Sequence, residues 1–319
     1  MSKNPPMVRF LPLLLASLGF STAAFSQQKA KANAGGLPTS TPPAVEEKLE
    51  SHEGLVYAQY GDREMKLDLY RPKAAGESAL PGIVCIHGGG WWRGTRENHG
   101  HLAKALAAKG YVAATISYRL SGEAPFPAAI QDCKAAVRFL RANAEKYGID
   151  ASKIGAIGLS AGGHLTALLG TSGGVSELEG EGGYPGQSSG IQTAVPMGAQ
   201  TDFRRHYDNI EKSDPDPPGE KPNIWLQFLG GMPGEIPDRW KLASPITHLD
   251  ADDPPMHFVA GERDNETTHA EKFRGKMREL GIAESLTLIP GAPHAFPGRQ
   301  KWFDEMVIEA TEWFDQHLK

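Results

Sequence analysis

The serine at position 160 lies in the pentapeptide Gly158-Leu159-Ser160-Ala161-Gly162, after an apolar run typical of a buried strand and before one typical of a helix. A Gly-x-Ser-x-Gly turn between a strand and a helix is the pattern of a nucleophile elbow, whose strained backbone exposes the serine oxygen. The glycines leave room where side chains would collide with neighbouring strands. The same pattern also occurs in ordinary Gly/Ser turns, so its interpretation depends on the rest of the chain.

A second motif lies upstream, where the apolar run 83–86 ends in His87-Gly88-Gly89-Gly90-Trp91-Trp92. Acyl transfer needs backbone N–H donors aimed at the oxygen that becomes negative in the tetrahedral intermediate, and a glycine-rich loop lets the main chain approach that point. We therefore predict that the N–H groups of Gly89, Gly90 and Ala161 form an oxyanion hole. The alternative is a flexible connection between a strand and a helix.

A serine hydroxyl is a weak nucleophile at neutral pH, so it needs a base within hydrogen-bond distance and a carboxylate that orients the base. Asp264 follows the strand-like run 256–260, where the acid of such a triad belongs, with Glu262 as its competitor. His294 lies in a Gly-rich loop after the next strand-like run and before the terminal helix. The sequence predicts the triad Ser160, Asp264 and His294, in the chain order of the hydrolases that carry a nucleophile elbow.

Together these motifs resemble the α/β-hydrolase superfamily and its esterases with a His-Gly-Gly-Gly oxyanion motif. The closer resemblance is to the bacterial bifunctional feruloyl/acetyl-xylan esterase-like (BD-FAE-like) branch, over residues 54–318 and most strongly over 81–170. Around the acid the chain departs from that pattern, because Asn265-Glu266-Thr267-Thr268 follows Asp264 where a small or aliphatic residue and proline are frequent. The further runs that carry the resemblance are Ser117-Tyr118-Arg119-Leu120, Phe126-Pro127-Ala128, Asp132, Leu140-Arg141-Ala142-Asn143 and Tyr147-Gly148-Ile149-Asp150.

The resemblance implies an α/β-hydrolase fold with a mostly parallel central sheet of about eight strands, flanked by helices, in a catalytic domain over residues 51–319. It implies a lid or cap insertion after the sixth strand, at 204–243. The implied activity is that of a serine carboxylic-ester hydrolase acting through an acyl-enzyme on acetyl or feruloyl esters of plant polysaccharide. The alternatives are a general short-chain carboxylesterase, an arylformamidase-like amide hydrolase, and a non-catalytic binding member of the fold.

The strand predictions come from apolar runs, several of them apolar on both faces as parallel strands require. Segments between them show helical periodicity, for example the apolar positions of 126–140 and of 303–314. An N-terminal hairpin precedes the sheet, with its turn at 61–63. The predicted strands are 54–60, 65–70, 83–87, 112–117, 154–159, 193–197, 258–260 and 286–289.

Two residues are predicted to contact the substrate. Trp91 directly follows the oxyanion glycines, so we expect its ring to form one wall of the acyl site. Gln200 follows the sixth strand, and we expect it at the pocket rim. The aromatic residues of the 204–243 insertion have two interpretations, because they either line the acyl or sugar pocket or form a small core within the insertion. These aromatic residues are Tyr207, Trp225, Phe228 and Trp240.

Other polar residues are interpreted as structural. His164, on the helix behind the nucleophile, is predicted to be a hydrogen-bonded packing residue. His99 and His101 are predicted at the solvated start of a helix, and their spacing lacks the third ligand of a metal site. Three glutamates of the Gly-rich segment 170–190 match no calcium motif, so we expect a solvated loop. These glutamates are Glu177, Glu179 and Glu181. Beneath the glycine-rich loop that follows His87, a structural charge network is predicted for Arg119, Asp132 and Arg138.

Composition excludes some partners. The chain has 319 residues and a formal net charge of −5. Binding to nucleic acid or to an anionic membrane surface needs a basic patch, and the negative net charge argues against one. A small ester or an esterified oligosaccharide is therefore the expected partner. The motifs require no metal and no organic cofactor. Oligomeric state cannot be deduced from the sequence.

The N-terminal residues have the composition of a targeting segment. Residues 1–26 combine Lys3 and Arg9 with an apolar stretch and then small residues, which predicts a signal peptide cleaved after Ser26 and a secreted or periplasmic enzyme. Residues 27–50 are predicted to be a poorly ordered leader. Cys85 and Cys133 are predicted to be buried packing residues, with a disulfide between them as the alternative in an oxidising compartment.

Overall fold

The structure is a computed structural model that describes residues 39–212 and 223–319. In this part of the chain, eight strands form one sheet in the order β1-β2-β4-β3-β5-β6-β7-β8. The pairs β1/β2 and β2/β4 are antiparallel, and all other neighbours are parallel. The strands are β1 Leu49–Tyr60, β2 Arg63–Pro72, β3 Leu80–Ile86, β4 Val112–Ile116, β5 Ile149–Leu159, β6 Thr193–Met197, β7 Met256–Gly261 and β8 Glu284–Ile289.

The central strands are covered on both faces. Every residue of β4, β6 and β7 is buried, and β3 is buried from its second residue onward. Edge strand β8 is mostly half-buried. These burial patterns explain why continuous apolar runs predicted the central parallel strands correctly.

Helices cover both faces of the sheet. On one face α2 and α11 cover a core that includes Ile83 and Val195, and on the other α3, α5 and α10 cover a core that includes Val84 and Ala194. The helices are α1 Pro43–Glu46, α2 Gly100–Ala108, α3 Ala128–Ala142, α4 Ala144–Tyr147, α5 Ala161–Thr171, α6 Ser176–Glu179, α7 Tyr207–Glu211, α8 Ile224–Leu229, α9 Pro237–Leu242, α10 Glu271–Glu279 and α11 Gln300–Leu318. Among the described residues, none of these helices has the length and apolar character needed to span a membrane.

The two cysteines lie on opposite sides of the sheet. Cys85 belongs to the core under α2 and α11, whereas Cys133 belongs to the core under α3 and α5. Both are buried and free, as predicted from their apolar surroundings. The sheet between the two cores separates the thiols, so the disulfide alternative does not hold.

The N-terminal predictions are only partly covered by the structure. The signal peptide at 1–26 and the leader up to residue 38 lie outside the described residues. From Pro43 onward the leader prediction is wrong, because Pro43–Glu46 is helical and β1 begins at Leu49. The Glu46 carboxylate accepts a hydrogen bond from Lys104 Nζ at 2.5 Å, which attaches this segment to α2.

The Gly-rich segment 170–190 is attached to α3 by ionic contacts rather than solvated as a whole. Lys134 Nζ donates to Glu179 Oε1 at 2.6 Å and to the Ser172 carbonyl at 2.7 Å. Arg138 Nη1 donates to the Glu179 carboxylate at 3.2 Å. The prediction for Glu179 is therefore wrong, because its carboxylate pairs with two cations that α3 buries.

The predicted network beneath the oxyanion loop holds for one of its two cations. Arg119 Nη2 donates to Asp132 Oδ1 at 2.8 Å, and the Asp132 side chain is fully buried. Arg138 does not join this pair, because it contacts Glu179 and the Gly182 carbonyl instead.

The insertion after β6 is described up to residue 212 and again from residue 223, and it contains α7, α8 and α9. Its aromatic residues form a small core. Phe228 and Trp240 are buried, and Trp225 lies 4.8 Å from Phe203 between ring centroids. Tyr207 and Trp240 pack on each other within the insertion, with 5.4 Å between ring centroids, whereas Phe228 stacks on Trp91 outside it at 4.5 Å. The structure therefore supports a packing role for these rings, in a core that the insertion shares with the rest of the domain.

Candidate active site

Ser160 occupies a strained turn between β5 and α5. Its φ is 59° and its ψ is −116°, a backbone conformation that non-glycine residues rarely adopt. The Ser160 N–H donates to the Met197 carbonyl at 2.8 Å, and its own carbonyl accepts the His164 N–H at 2.9 Å. These bonds hold the turn, so the hydroxyl is presented at the carboxyl end of β5.

The glycines around Ser160 are required by close backbone contacts. A Cβ at Gly162 would lie 2.1 Å from the Ile86 carbonyl oxygen, and one at Gly158 would lie 2.5 Å from the Gly162 carbonyl oxygen. At Gly163 the Met197 carbonyl oxygen would be 2.3 Å away. Each contact is too short for any side chain, so the elbow can form only with glycine at these positions.

The three residues predicted as a triad meet in the structure. His294 Nε2 lies 2.8 Å from Ser160 Oγ, and His294 Nδ1 lies 2.6 Å from Asp264 Oδ2. A carboxylate can only accept, so Nδ1 carries the proton and Nε2 is left to accept the serine hydroxyl. The imidazole is 44% exposed and the Asp264 side chain only 6% exposed, so the ring faces solvent while the carboxylate is shielded behind it.

Asp264 is held as an ionised acceptor. Burial of the carboxyl raises its pKa, but the hydrogen bond and charge of His294 and the Asn265 N–H outweigh burial, so the pKa of Asp264 lies below its ordinary value. The Asn265 N–H donates to Asp264 Oδ1 at 2.7 Å. Glu262, the competing acid, instead accepts the Gly291 N–H at 2.7 Å.

Gly198 is a residue of the site that the sequence reasoning missed. It directly follows β6 with a φ of +54°, and a Cβ there would lie 3.1 Å from His294 Cε1 and 3.4 Å from Asp264 Oδ2. A side chain at this position would press on the contact between base and acid. A lone glycine after a strand gives little signal in the sequence, because only the folded chain places it beside His294.

The glycine-rich loop predicted to form the oxyanion hole follows β3 and passes directly over Ser160. A Cβ at Gly88 would lie 2.8 Å from the Leu159 carbonyl oxygen and 3.4 Å from Ser160 Cβ, so the main chain approaches the serine closely. The N–H groups of Gly89 and Gly90 donate to no other group within residues 39–212 and 223–319. The Ala161 N–H lies in the first turn of α5, where helix geometry supplies no acceptor. The three predicted donors therefore remain available to a ligand.

His87 supports this loop from below. It is fully buried, its ring stacks on Tyr118 with 4.2 Å between centroids, and its Nδ1 lies 2.8 Å from the Gly88 carbonyl. Burial lowers the pKa of His87 to about 4, so it is neutral at ordinary pH. Its contacts are those of a packing residue that shapes the loop.

Trp91 does not form a wall of the site, contrary to the sequence prediction. It has a φ of 63° and is 3% exposed, and its ring stacks on Phe228 at 4.5 Å between centroids. Trp91 Nε1 donates to His164 Nδ1 at 3.1 Å, and His164 Nε2 donates to the Ala243 carbonyl at 2.8 Å. His164 is thus the hydrogen-bonded packing residue that its position predicted.

Gln200 also lies away from the expected position at the pocket rim. Its side-chain Nε2 donates to Thr267 Oγ1 at 2.9 Å, and its Oε1 lies 3.2 Å from His206 Nε2. The nitrogen and the oxygen of the Gln200 amide are therefore both engaged, and they connect the loop after Asp264 to the start of the insertion. Of the residues that follow β6, Gly198 rather than Gln200 lies beside His294.

A cleft of about 720 Å³ opens in front of Ser160 and His294. Near Gly90 its wall carries the side chains of Trp92 and Ile224, which are 36% and 37% exposed, and the Arg93 guanidinium lies 5.2 Å from the centroid of the Trp92 ring. Farther along, the cleft is lined by Asn98, His99 and His101. The predicted solvated position of His99 is wrong, because only 6% of that residue is exposed.

The described residues contain no group of three or more His, Cys, Asp or Glu arranged to hold a metal ion. What the site offers instead is a hydroxyl bonded to a base, a shielded carboxylate behind the base, and free amide N–H groups beside the hydroxyl. This arrangement is suited to nucleophilic attack on a carbonyl carbon, with the developing negative charge on oxygen held by the amides.

Comparison with known proteins agrees with that chemistry. A family model described as BD-FAE matches residues 67–275. The chain belongs to the BD-FAE family. Esterase LipC of Mycobacterium tuberculosis is 30% identical over 267 residues, which cover 81% of this chain and 64% of that protein. Esterase LipQ of the same organism is 29% identical, with 80% of this chain and 59% of that protein covered. The chain therefore spans less than two thirds of these relatives' length.

Solved structures place the family member in the α/β-hydrolase fold, as predicted. A truncated form of a carbohydrate esterase from gut microbiota superposes with a TM-score of 0.69 at 30% identity, covering 83% of this chain and 96% of that one. Thermogutta terrifontis Est2, solved with butyrate bound, has a TM-score of 0.67 at 26% identity and covers 83% of this chain and 93% of its own.

Proposed function

We propose that this BD-FAE family member is a serine carboxylic-ester hydrolase that acts through an acyl-enzyme on acetyl or feruloyl esters of plant polysaccharide. The observation that carries the proposal is the unbroken chain of hydrogen bonds from Ser160 Oγ through His294 to Asp264 at the strained elbow. The relatives named as esterases and the carbohydrate esterase among the structural neighbours support it.

In the first half of the reaction, Ser160 Oγ attacks the ester carbonyl carbon while His294 Nε2 takes the hydroxyl proton. The carbonyl oxygen becomes an oxyanion, which accepts hydrogen bonds from the N–H groups of Gly89, Gly90 and Ala161. Asp264 stabilises the imidazolium that forms and keeps its orientation. His294 then donates the proton from Nε2 to the alcohol oxygen, the ester C–O bond breaks, and the acyl group remains on Ser160.

In the second half, water takes the place of the alcohol. His294 removes a proton from the water as its oxygen attacks the acyl carbon, and the same amide groups hold the second oxyanion. The proton on His294 returns to Ser160 Oγ as the bond to the acyl group breaks. The products are a carboxylic acid and the free enzyme, so atoms and protons balance without a further reactant.

A general short-chain carboxylesterase is the second candidate, and an arylformamidase-like amide hydrolase would use the same residues. The structures of Thermogutta terrifontis Est2 with butyrate and with propionate favour the short-chain candidate, because they show a neighbour of this fold holding small carboxylates. Release of acetate or ferulate from xylan, measured beside hydrolysis of p-nitrophenyl esters, distinguishes the candidates. Turnover of the aryl esters alone would contradict the polysaccharide substrate.

The principal test is Ser160→Ala, with Ser176→Ala as the matched control at an exposed serine outside the cleft. We expect Ser160→Ala to lower kcat for p-nitrophenyl acetate by at least about 10⁴-fold, because the nucleophile is lost while the oxyanion donors remain. The control should retain wild-type activity and both variants the wild-type circular dichroism. Activity of folded Ser160→Ala above about one hundredth of wild type would show that another group is the nucleophile.

The proposal includes a secreted or periplasmic location, which rests on the composition of residues 1–26. Edman sequencing of the protein recovered from medium or periplasm tests it. A mature chain that begins at Gln27 is expected. An intact Met1 on protein confined to the cell interior would contradict the location without affecting the proposed chemistry.

A further inference from the structure

We propose that the part of the cleft lined by Asn98, His99 and His101 is the subsite for the alcohol portion of the substrate, where it binds sugar hydroxyl groups. This inference rests on the proposed ester hydrolysis and names the substrate group that each end of the cleft takes. The three residues Asn98, His99 and His101 form the polar end of the cleft.

The position of the polar end follows from the route of the proton. His294 must protonate the leaving alcohol, so the alcohol lies beside the loop His294–Gly298, which also lines the cleft. The His101 ring lies 5.0 Å from that of Phe303, on the helix that follows this loop. The polar end is therefore beside the loop that carries the base, where the alcohol must be.

The opposite wall has a different character. Trp92 and Ile224 are exposed apolar side chains that flank Gly90, since a Cβ at Gly90 would lie 3.1 Å from Trp92 Cδ1 and 3.6 Å from Ile224 Cδ1. An apolar wall beside the oxyanion donors suits the acyl group rather than a polyol. The cleft thus offers aromatic and aliphatic surface beside Gly90, with the Arg93 guanidinium over the Trp92 ring, and the side chains of Asn98, His99 and His101 elsewhere.

His99 is the residue that indicates a ligand. It is 6% exposed, its Nδ1 is fully buried, and neither ring nitrogen forms a hydrogen bond with the described part of the chain. Buried polar groups are nearly always paired, and one left unpaired costs stability. The enclosed Nδ1 cannot be reached from the cleft, so the nitrogen that a bound group can pair is Nε2, which also has no partner in the described part of the chain.

The chemistry of this group favours a hydroxyl. Burial, and after it the repulsion that protonated His101 and His87 would exert, lowers the pKa of His99 to about 3, so the ring is neutral at working pH. A neutral ring presents either a donor or an acceptor at Nε2, according to its tautomer. A hydroxyl group pairs with either, whereas a carboxylate or phosphate would need a donor and would favour a positive charge that this ring does not carry.

Asn98 adds a donor at the mouth of the polar end. Its Oδ1 accepts the Thr95 N–H at 2.8 Å, which fixes the side chain. The amide Nδ2 has no partner in residues 39–212 and 223–319. The His101 ring, half-buried beside His99 at 6.3 Å between centroids, contributes further ring nitrogens. A row of neutral donors and acceptors is the arrangement that recognises a polyol.

The test compares two substrates that share the acetyl group and differ in the alcohol: an acetylated xylo-oligosaccharide and p-nitrophenyl acetate. His99→Phe keeps a ring of similar size and removes both nitrogens. We expect the ratio of kcat/KM for the oligosaccharide to that for the aryl ester to fall about tenfold, the effect of one lost hydrogen bond. His317→Phe, on α11 and outside the cleft lining, is the matched control and should leave the ratio at the wild-type value.

An unchanged ratio in His99→Phe would overturn the subsite, as would an equal loss on both substrates. If that variant does not fold, His99→Gln replaces it. The glutamine amide can donate and accept hydrogen bonds, but its polar atoms lie at other positions than those of the imidazole. The ratio of kcat/KM for the oligosaccharide to that for the aryl ester should therefore fall severalfold. Wild-type protein that hydrolyses the aryl ester but no sugar ester would also overturn the subsite and leave ester hydrolysis intact.

Failure of the proposed function itself is recognised by absence of hydrolysis on either substrate. Binding then decides the subsite, using calorimetry of an acetylated xylo-oligosaccharide with Ser160→Ala and with Ser160→Ala/His99→Phe. About tenfold weaker binding to the double variant supports the polar end as a sugar site. Equal affinity for the two, or binding to neither, overturns it.

Discussion

The nucleophile elbow and the walls of the cleft are fixed by different parts of the chain. At the elbow the constraints are backbone contacts, such as the 2.1 Å that would separate a Cβ at Gly162 from the Ile86 carbonyl oxygen. The walls consist of side chains, with Trp92 and Ile224 more than a third exposed. The proposed chemistry therefore depends on the backbone of the elbow and on the three side chains that meet there, whereas the choice of substrate depends on wall side chains that can change without disturbing them.

The comparison is tested most strongly at the acid. We predict that Asp264→Asn lowers kcat for p-nitrophenyl acetate by about 10⁴-fold, because an amide favours the wrong tautomer of His294 and leaves the imidazolium without a counter-charge. Steady-state kinetics at neutral pH measure the effect. The change removes one charge and hardly any volume, so the fold should persist.

Glu262→Gln is the matched control for that substitution. Its carboxylate accepts the Gly291 N–H rather than a proton of His294, so activity should stay within about threefold of wild type. A large loss in Glu262→Gln together with a small one in Asp264→Asn would reverse the assignment of the acid.

The second prediction separates two adjacent tryptophans. Trp91→Ala removes a buried ring from the aromatic core behind the cleft and should lower the free energy of unfolding by about 3 to 5 kcal/mol. Trp92→Ala removes an exposed ring from the cleft wall and should cost less than about 1 kcal/mol. Urea titration measures both values.

The same pair should behave in the opposite way toward substrate. Trp92→Ala is expected to lower kcat/KM for a feruloyl ester severalfold more than for an acetyl ester, because the aromatic acyl group loses an apolar surface. Equal stability losses in the two variants, or no change of acyl preference in Trp92→Ala, would contradict the division between core and wall.

The smallest expected effect concerns pH and the helix behind the elbow. Burial lowers the pKa of His164 to about 4, below the 6.5 of an unfolded chain. The unfolded state therefore takes up a proton first as the pH falls, so the stability contributed by neutral His164 is present above pH 6.5 and is lost between pH 6.5 and 4.

Between pH 7 and pH 5 this loss amounts to about 2 kcal/mol. The variant His164→Gln, which lacks the titrating ring, should lose about 2 kcal/mol less over that interval than wild type, whatever its stability at pH 7. Urea titrations at the two pH values measure the difference. Identical pH dependence in both proteins would show that His164 is not held neutral by burial.

The sheet, and the meeting of Ser160, Asp264 and His294, can be predicted from the sequence because both depend on short, local patterns. Continuous apolar runs such as 193–197 predict strands buried on both faces. Ser160, Asp264 and His294 each closely follow a predicted strand, which for His294 is the half-buried edge strand β8. The strands bring their carboxyl ends to one edge, so residues distant in the chain meet without any further signal in the sequence.

The cleft walls could not be predicted in the same way. Trp91 and Trp92 are identical in type, yet the Trp91 ring is buried and the Trp92 ring is exposed. Trp91 has a positive φ, which is a property of the folded loop and gives no signal in the sequence. His99 is predicted at the solvated start of a helix, yet only 6% of the residue is exposed. Glu179 pairs with Lys134 and Arg138, which lie 45 and 41 residues earlier in the sequence, and no local pattern indicates these pairs.

The most direct test of the central claim is covalent labelling of the wild-type protein with a phosphonate that reacts with activated serines. Peptide mapping by mass spectrometry then locates the adduct while hydrolysis of p-nitrophenyl acetate is followed. We predict one adduct per chain, on Ser160, with activity lost in proportion to labelling. An adduct on a different residue, or full inhibition with Ser160 unmodified, would contradict the claim that this hydroxyl is the nucleophile.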